Sequence, residues 1–211
     1  NDHVRAADRG VESMSSLTAP LLIGIYGRSQ VGKDTVADYL TKSLWLRKYA
    51  FAEPLKQMLK CAFGDNFHEG DRMGICPETG VTFRDMMKRL GTEWGRDFPL
   101  NPWLNLAGQR WNEVKAGGDL VFSSRGSMYP ARGMIISDVR FDSEADWIKK
   151  RGGVIIEVTK PSYNAAAGAD GHPSEAGINP AYTDDTVVND RDLHHLYSVL
   201  DALMRDFLTR K

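Results

Sequence analysis

Along the chain, short continuous runs of apolar residues alternate with segments in which apolar residues recur at helical spacing, and this pattern predicts alternating strands and helices. Short apolar runs ending at a glycine or an acidic residue indicate buried strands at residues 21–26, 134–138 and 154–158, with shorter ones at 50–52 and 186–188. Apolar residues at helical spacing predict helices over about 35–48, 54–62, 83–90, 102–116, 143–151 and 193–208. Residues 119–132 read as an inserted hairpin. This order predicts an α/β fold with a mainly parallel sheet, covered by helices on both faces.

The segment between the first strand and the first helix has the G-x-x-x-x-G-K spacing of a loop that binds nucleoside triphosphates. Its two glycines allow backbone conformations and close approaches that side chains would block. The exposed N–H groups and the helix N-terminus wrap an anion, and the lysine reaches the β- and γ-phosphates. We therefore predict that ATP binds at Gly27, Arg28, Ser29, Gln30, Val31, Gly32, Lys33, Asp34 and Thr35.

Asp34 departs from the usual loop, which has at this position a Ser or Thr that touches magnesium. Thr35 supplies a hydroxyl one residue later. A carboxylate among phosphates requires a cation or a basic partner to neutralise it. Asp34 is therefore either a ligand of Mg²⁺, directly or through water, or a side-chain cap of the following helix.

The amino-acid composition argues against several classes of binding partner. The 211 residues include 27 Lys plus Arg and 28 Asp plus Glu, for a net charge of −1, which argues against a general nucleic-acid coat. The two cysteines, Cys61 and Cys76, form neither a disulfide framework nor a zinc set. No apolar run reaches the length of a membrane span. We expect a cytoplasmic protein with no nucleic-acid or membrane partner, a flexible tail at 1–19 and a candidate native start at Met14.

Several segments, in order, resemble the bacteriophage deoxynucleoside monophosphate kinases, within the wider P-loop nucleoside monophosphate kinase-like group. They are G-K-D-T at 32–35, A-E-P-L-K at 52–56, R-L-G-T-E at 89–93, S-D-V-R-F at 137–141 with Glu144, H-P-S-E-A-G at 172–177 and V-N-D at 188–190. The resemblance spans about 21–203. It implies a three-layer P-loop kinase fold in one domain, 20–211, with helical insertions that form the monophosphate site and a lid. An inserted substrate-binding region would cover about 53–132, and a mobile loop about 160–182.

The same resemblance implies transfer of a phosphate from ATP, with Mg²⁺, to a deoxynucleoside 5′-monophosphate for DNA precursor supply. Such chemistry needs arginines, whose planar fork holds phosphate oxygens bidentately. The candidates are Arg84, Arg89, Arg96 and Arg140. Arg140 is the strongest candidate because it follows a buried strand at the sheet edge that faces the loop. Its alternative role is a salt bridge to Glu144 or Asp138.

Lys33, Arg140 and Asp138 are the predicted catalytic residues, with Asp138 either orienting a magnesium-bound water or binding backbone amides at a turn. The predicted substrate-binding residues are Lys56, Arg84, Gly91, Thr92, Trp103, Asp138, Arg140 and Glu144. Several have structural alternatives: a solvated helix face for Lys56 and Arg84, and the core for Trp103. His172 and its neighbours are predicted to contact a nucleotide from a closing loop.

Two other functions stay open. One is a small-molecule phosphate kinase of the phosphomevalonate type, which shares the G-K-D-T segment. The other is a nucleotide-binding module without turnover, against which the presence of Lys33 and Arg140 argues. The accepted bases, the discrimination between ribose and deoxyribose, and the choice between monomer and homodimer are also open.

Overall fold

The computed structural model describes residues 19–64, 73–95, 98, 101–123, 126–161 and 177–209. It divides into two compact units, one formed by residues 19–49 and 111–209 and the other by Ala50–Arg110. The predicted tail up to residue 18, Arg96, and most of the predicted loop at 160–182, with His172, lie outside the described residues. Within the described ranges no helix is long and apolar enough to cross a membrane.

The first unit is built on a parallel sheet, as predicted. Its strands are β1 (Leu21–Tyr26), β2 (Arg47–Tyr49), β5 (Gly133–Val139), β6 (Val154–Thr159) and β7 (Asp185–Val188), in the spatial order β2-β5-β1-β6-β7. All neighbouring strands of this sheet run parallel. A Cβ at Gly133 would lie 2.1 Å from the Leu21 carbonyl oxygen, so glycine lets β5 and β1 approach closely.

Helices cover both faces of this sheet, which makes the unit a three-layer α/β structure. One face packs against α1 (Lys33–Leu44) and α6 (Leu193–Thr209), through buried Ile23, Leu40 and Leu200 among others. On the opposite face, a Cβ at Gly24 would meet Ile148 of α5 (Asp142–Lys149). Successive strand residues point to opposite faces, and their apolar character on both sides explains the continuous apolar runs in the sequence.

The chain around residues 44–52 differs from the prediction. Helix α1 ends at Leu44, Trp45 takes a left-handed conformation with φ 58°, and residues 47–49 form β2 against residues 134–136 of β5. The predicted helix to residue 48 and strand at 50–52 were therefore wrong. Apolar residues at 44 and 46 fit either period, and pairing with β5, which is distant in sequence, decides between them.

The predicted hairpin is confirmed as the antiparallel pair β3 (Leu120–Phe122) and β4 (Met128–Pro130). The remaining helices are α2 (Glu53–Phe63), α3 (Phe83–Lys88) and α4 (Pro102–Lys115), with a π-helical turn at Arg89–Trp94 and a 3₁₀ turn at Pro180–Tyr182. In the second unit, Phe83 and Met86 of α3 pack with Leu59 and Cys76 in a small core. The Thr82 side chain accepts a hydrogen bond from the Asp85 N–H and so caps α3.

Tyr39 connects α1 to α6. Its hydroxyl donates a hydrogen bond of 2.7 Å to Asp201, and its ring stacks on Tyr197 at 4.1 Å between centroids. Burial, together with the bond to Asp201 and its charge, raises the pKa of Tyr39 to about 12. The contact fixes the helix that begins at the glycine-rich loop against the last helix of the unit.

We predict that Tyr39→Phe lowers the free energy of unfolding by about 1–2 kcal/mol at neutral pH, because it removes a hydrogen bond to a carboxylate. A phenol whose pKa is higher in the folded state contributes stability that is fully present below pH 10 and is lost as the pH rises towards about 12. The stability difference between wild type and variant should therefore shrink over this interval in urea titrations. Tyr129→Phe, on the exposed hairpin, is the control; a difference independent of pH would contradict the assignment.

Candidate functional site

The carboxyl edge of the sheet in the first unit brings the glycine-rich loop and Arg140 together. In the parallel pairing of β1 with β5, Tyr26 lies opposite Val139. The loop starts at the residue after Tyr26, and Arg140 is the residue after Val139, so both leave the sheet at neighbouring positions of one edge. The register shifts by one residue between Gly24 and Tyr26, an irregularity of the kind that re-aims side chains beside active sites.

The loop has the backbone that its glycines were expected to allow. Gly27 and Gly32 have φ of 144° and 103°, and Gln30 also has a positive φ of 64°. A Cβ at Gly27 would lie 2.3 Å from the Val158 carbonyl oxygen of β6, so the loop passes directly over that strand. Val31 is buried in the main core, whereas Arg28 and Ser29 are exposed. One buried apolar side chain thus anchors a loop in which Arg28, Ser29 and Gln30 are exposed.

Lys33 is the first residue of α1, and its Nζ donates to the Arg28 carbonyl oxygen of the same loop. The ammonium group therefore lies over the loop rather than away from it. Gly32 is the N-cap residue of α1 and supplies no side-chain cap. The helix begins two residues earlier than predicted, which places Lys33 and Asp34 in its first turn.

Asp34 forms an ion pair with Lys48, a partner that the sequence did not predict. Its side chain is 83% exposed, and the Lys48 Nζ lies 3.4 Å from it and 2.7 Å from Asp38. Burial alone would lower the pKa of Lys48, but the hydrogen bonds and charges of Asp38 and Asp34 outweigh it and raise that pKa. The helix-cap alternative for Asp34 is not observed, because the cap position belongs to Gly32.

Asp138, Arg140 and Glu144 lie together at the end of β5 and the start of α5. The Glu144 side chain is buried, 2% exposed, and its carboxylate accepts hydrogen bonds from the N–H groups of Arg140 at 2.7 Å and Phe141 at 3.2 Å. Glu144 thus holds the turn that carries Arg140. In the described part of the chain, the Arg140 guanidinium makes no salt bridge to Glu144 or Asp138, so that alternative is not observed.

The other predicted substrate residues belong to the second unit. Lys56 lies half-buried on α2 and Arg84 half-buried on α3, whereas Gly91 and Thr92 lie in the π-helical turn. Trp103 is 2% exposed, and its indole N–H donates to the Gly91 carbonyl at 3.0 Å. The buried ring also packs on Gly95 and braces the turn, which fits the core alternative; a contact of Trp103 with a base stays a prediction.

Sequence reasoning assigned no role to Asn189, which contacts the loop directly. Its side-chain amide donates a hydrogen bond of 2.9 Å to the Val31 carbonyl oxygen. Asn189 follows β7 immediately, and a polar residue directly after a predicted strand was the available signal. Lys48 was missed because the prediction placed it on a helix.

The described residues contain no group of three His, Cys, Asp or Glu side chains that could form a metal cage. Mg²⁺ does not require one, because it is usually held by one or two carboxylates, by water and by substrate phosphates. Asp34 and Asp138 supply oxygen ligands of the type that this ion prefers, and both lie at the edge that carries the loop. The donor set fits magnesium delivered with a nucleotide.

Comparison with known proteins relates the chain to one family of kinases. The family model for deoxynucleotide monophosphate kinase matches residues 21–101 and 75–200. A protein of Acanthamoeba polyphaga mimivirus, described as "Putative deoxynucleotide monophosphate kinase", is 32% identical over 185 residues, covering 84% of this chain and 93% of the relative. This relative comes from a mimivirus, so it gives no support to the bacteriophage origin that the resemblance suggested.

Two solved structures are similar over most of the chain. A "putative kinase" from Chloroflexus aurantiacus has a TM-score of 0.47 at 11% identity, covering 92% of this chain and 99% of its own. TT1252 from Thermus thermophilus has a TM-score of 0.43 at 19% identity, covering 90% of this chain and 98% of its own. On the family model and the mimivirus relative, the chain belongs to the deoxynucleotide monophosphate kinase family.

Proposed function

We propose that this protein transfers the γ-phosphoryl group of ATP to a deoxynucleoside 5′-monophosphate, giving ADP and a deoxynucleoside diphosphate for DNA synthesis. One observation carries the proposal: a G-x-x-x-x-G-K loop, with Lys33 folded over it, leaves the sheet beside Arg140. Family membership supports the class of acceptor. The predicted cytoplasmic location and the oligomeric state remain predictions.

The proposed step needs no strong general base, because the acceptor phosphate is already anionic. An oxygen of the monophosphate forms a bond to the γ-phosphorus, and the bond from that phosphorus to the β–γ bridging oxygen breaks, so that ADP leaves with the electron pair. The difficulty is to hold two like-charged groups in line and to offset the charge of the transition state. Positively charged groups and backbone N–H donors must therefore surround the reacting phosphates.

Lys33, Arg140 and Glu144 each have a role in the proposed reaction. Lys33 offsets charge on the β- and γ-phosphates, and the loop N–H groups bind their oxygens. Arg140 holds oxygens of the transferred or accepting phosphate with two parallel N–H donors, since its guanidinium is held by no salt bridge within the described residues. Glu144 keeps Arg140 in position through the backbone.

Magnesium bound with ATP would neutralise phosphate oxygens, and Asp34 and Asp138 are the residues proposed to hold it. The side chain of Asp34 is 83% exposed, and the Lys48 ammonium balances its charge. In the second unit, Lys56, Arg84, Gly91 and Thr92 are proposed to bind the monophosphate. Trp103 supports this group by bracing the Gly91 backbone.

The first test is ADP release by the purified protein with ATP, magnesium and a panel of deoxy- and ribonucleoside monophosphates, with phosphomevalonate included. We expect turnover with one or more deoxynucleotides. Lys33→Met should lower kcat by about 100-fold or more, because it removes a charge that acts on the transition state.

Lys42→Met, an exposed substitution on the same helix, is the matched control and should change kcat by no more than about two-fold. Turnover with phosphomevalonate alone would move the protein to that activity. An active Lys33→Met variant would reject the role of the loop.

Arg140→Ala should lower kcat by about 100-fold, since a phosphate-binding donor pair is lost where charge develops. Arg140→Lys keeps the charge but not the planar fork, and should recover only part of the rate. Arg191→Lys, an exposed arginine of the same unit, controls for the general effect of the exchange. Full activity of Arg140→Ala, or a loss explained by a lower Tm alone, would remove Arg140 from the proposed machinery.

A further inference from the structure

Asn189 is fixed to the sheet before its side chain reaches the loop. It follows β7, whose Val188 pairs with Thr159 of β6, and the Asn189 N–H donates to the Thr159 carbonyl at 2.8 Å. Its backbone therefore continues the parallel ladder by one hydrogen bond. The position of its side chain is set by the sheet and not by a free loop.

From that fixed point, the side-chain amide binds the loop backbone. Nδ2 donates to the Val31 carbonyl oxygen at 2.9 Å, between residues that are 158 positions apart in sequence. Gly32 is shaped for this contact: a Cβ there would lie 2.5 Å from the same nitrogen, and its φ of 103° already disfavours any other residue. The glycine before the lysine thus makes room for Asn189 as well as for a phosphate.

The hydrogen bond orients the whole Val31–Gly32 peptide group and not only its carbonyl. The peptide between Val31 and Gly32 is planar and trans, so its N–H points opposite to its C=O. A donor that holds the Val31 oxygen towards Asn189 therefore turns the Gly32 N–H to the other side. An N–H group fixed in advance binds an anion without the cost of reorganising the loop.

We propose that Asn189 is a positioning residue that holds the Val31–Gly32 peptide with its N–H turned towards the phosphates of the donor nucleotide. This inference rests on the proposed binding of ATP at the loop. The side chain of Asn189 acts on the phosphate through the backbone and has no contact with the base.

Calorimetric titration of wild type and Asn189→Ala with magnesium tripolyphosphate and with magnesium ATP tests the inference. Tripolyphosphate has the phosphates without the base. We expect Asn189→Ala to weaken both ligands by the same factor, about three- to ten-fold, because one oriented donor is lost. Asn189→Asp has the same shape but presents an oxygen and a charge, so it should weaken both ligands further.

Asn112→Ala, an exposed asparagine of the same unit, should leave both affinities within about two-fold of wild type. In kinetic assays, Asn189→Ala should raise the KM for ATP and leave the KM of the acceptor unchanged, whereas general destabilisation would affect both. If Asn189→Ala does not fold, Asn189→Asp provides the same comparison.

Weaker ATP binding with unchanged tripolyphosphate binding would overturn the inference, because Asn189 would then act on the nucleoside. Unchanged affinity for both ligands would overturn it as well. If the wild type binds tripolyphosphate and no acceptor is phosphorylated, the proposed kinase activity fails; a weaker binding by Asn189→Ala would still support the positioning role.

Discussion

The candidate site depends on the parallel hydrogen bonding between β1 and β5. Residues 21–26 and 133–139 are far apart in sequence, and their pairing puts the start of the glycine-rich loop beside Arg140. The close approach requires Gly133, where any Cβ would collide with the Leu21 backbone. β6 and β7 then add on the other side of β1, and they carry Val158 beneath Gly27 and Asn189 beside Gly32. The loop is therefore held by the carboxyl ends of three strands in addition to its own glycines.

This arrangement solves an electrostatic difficulty with few charged residues. A phosphoryl transfer brings two polyanions together, and a chain of net charge −1 has no overall excess of positive charge to assist. The positive groups are instead placed locally: Lys33 folds over the loop, and Arg140 projects from a turn held by Glu144. The acidic Asp34 is tolerated beside them because Lys48 lies within 3.4 Å of its carboxylate.

The sequence could predict those features of the fold and the site that are set by residues adjacent in the chain. The loop spacing, the strand before it and the helix after it are adjacent in the chain, so their pattern identified them. The bounds of β1 were predicted correctly for the same reason. β2 was misplaced because three residues carry too little pattern, and only pairing with β5 defines them. Lys48 was missed because the prediction placed it on a helix, and Asn189 was missed because only the pairing of β7 with β6 brings it beside the loop.

Trp103 shows a different limit of prediction from the sequence. An aromatic residue after Asn-Pro fits both a base-binding wall and a core position, and the two differ only in what surrounds the ring. The structure surrounds it with Gly91 and Gly95. The sequence could not decide between the two, because the residues that surround the ring are brought to it by the fold.

The central claim is that the loop at residues 27–35 binds the phosphates of ATP. Hydrogen–deuterium exchange of the full-length protein, with and without magnesium ATP, tests it most directly. The account predicts slower exchange of the loop amides, including Gly32, with little change in the β3–β4 hairpin as an internal reference. Unchanged exchange throughout the loop, at an ATP concentration shown by calorimetry to saturate the protein, would contradict it.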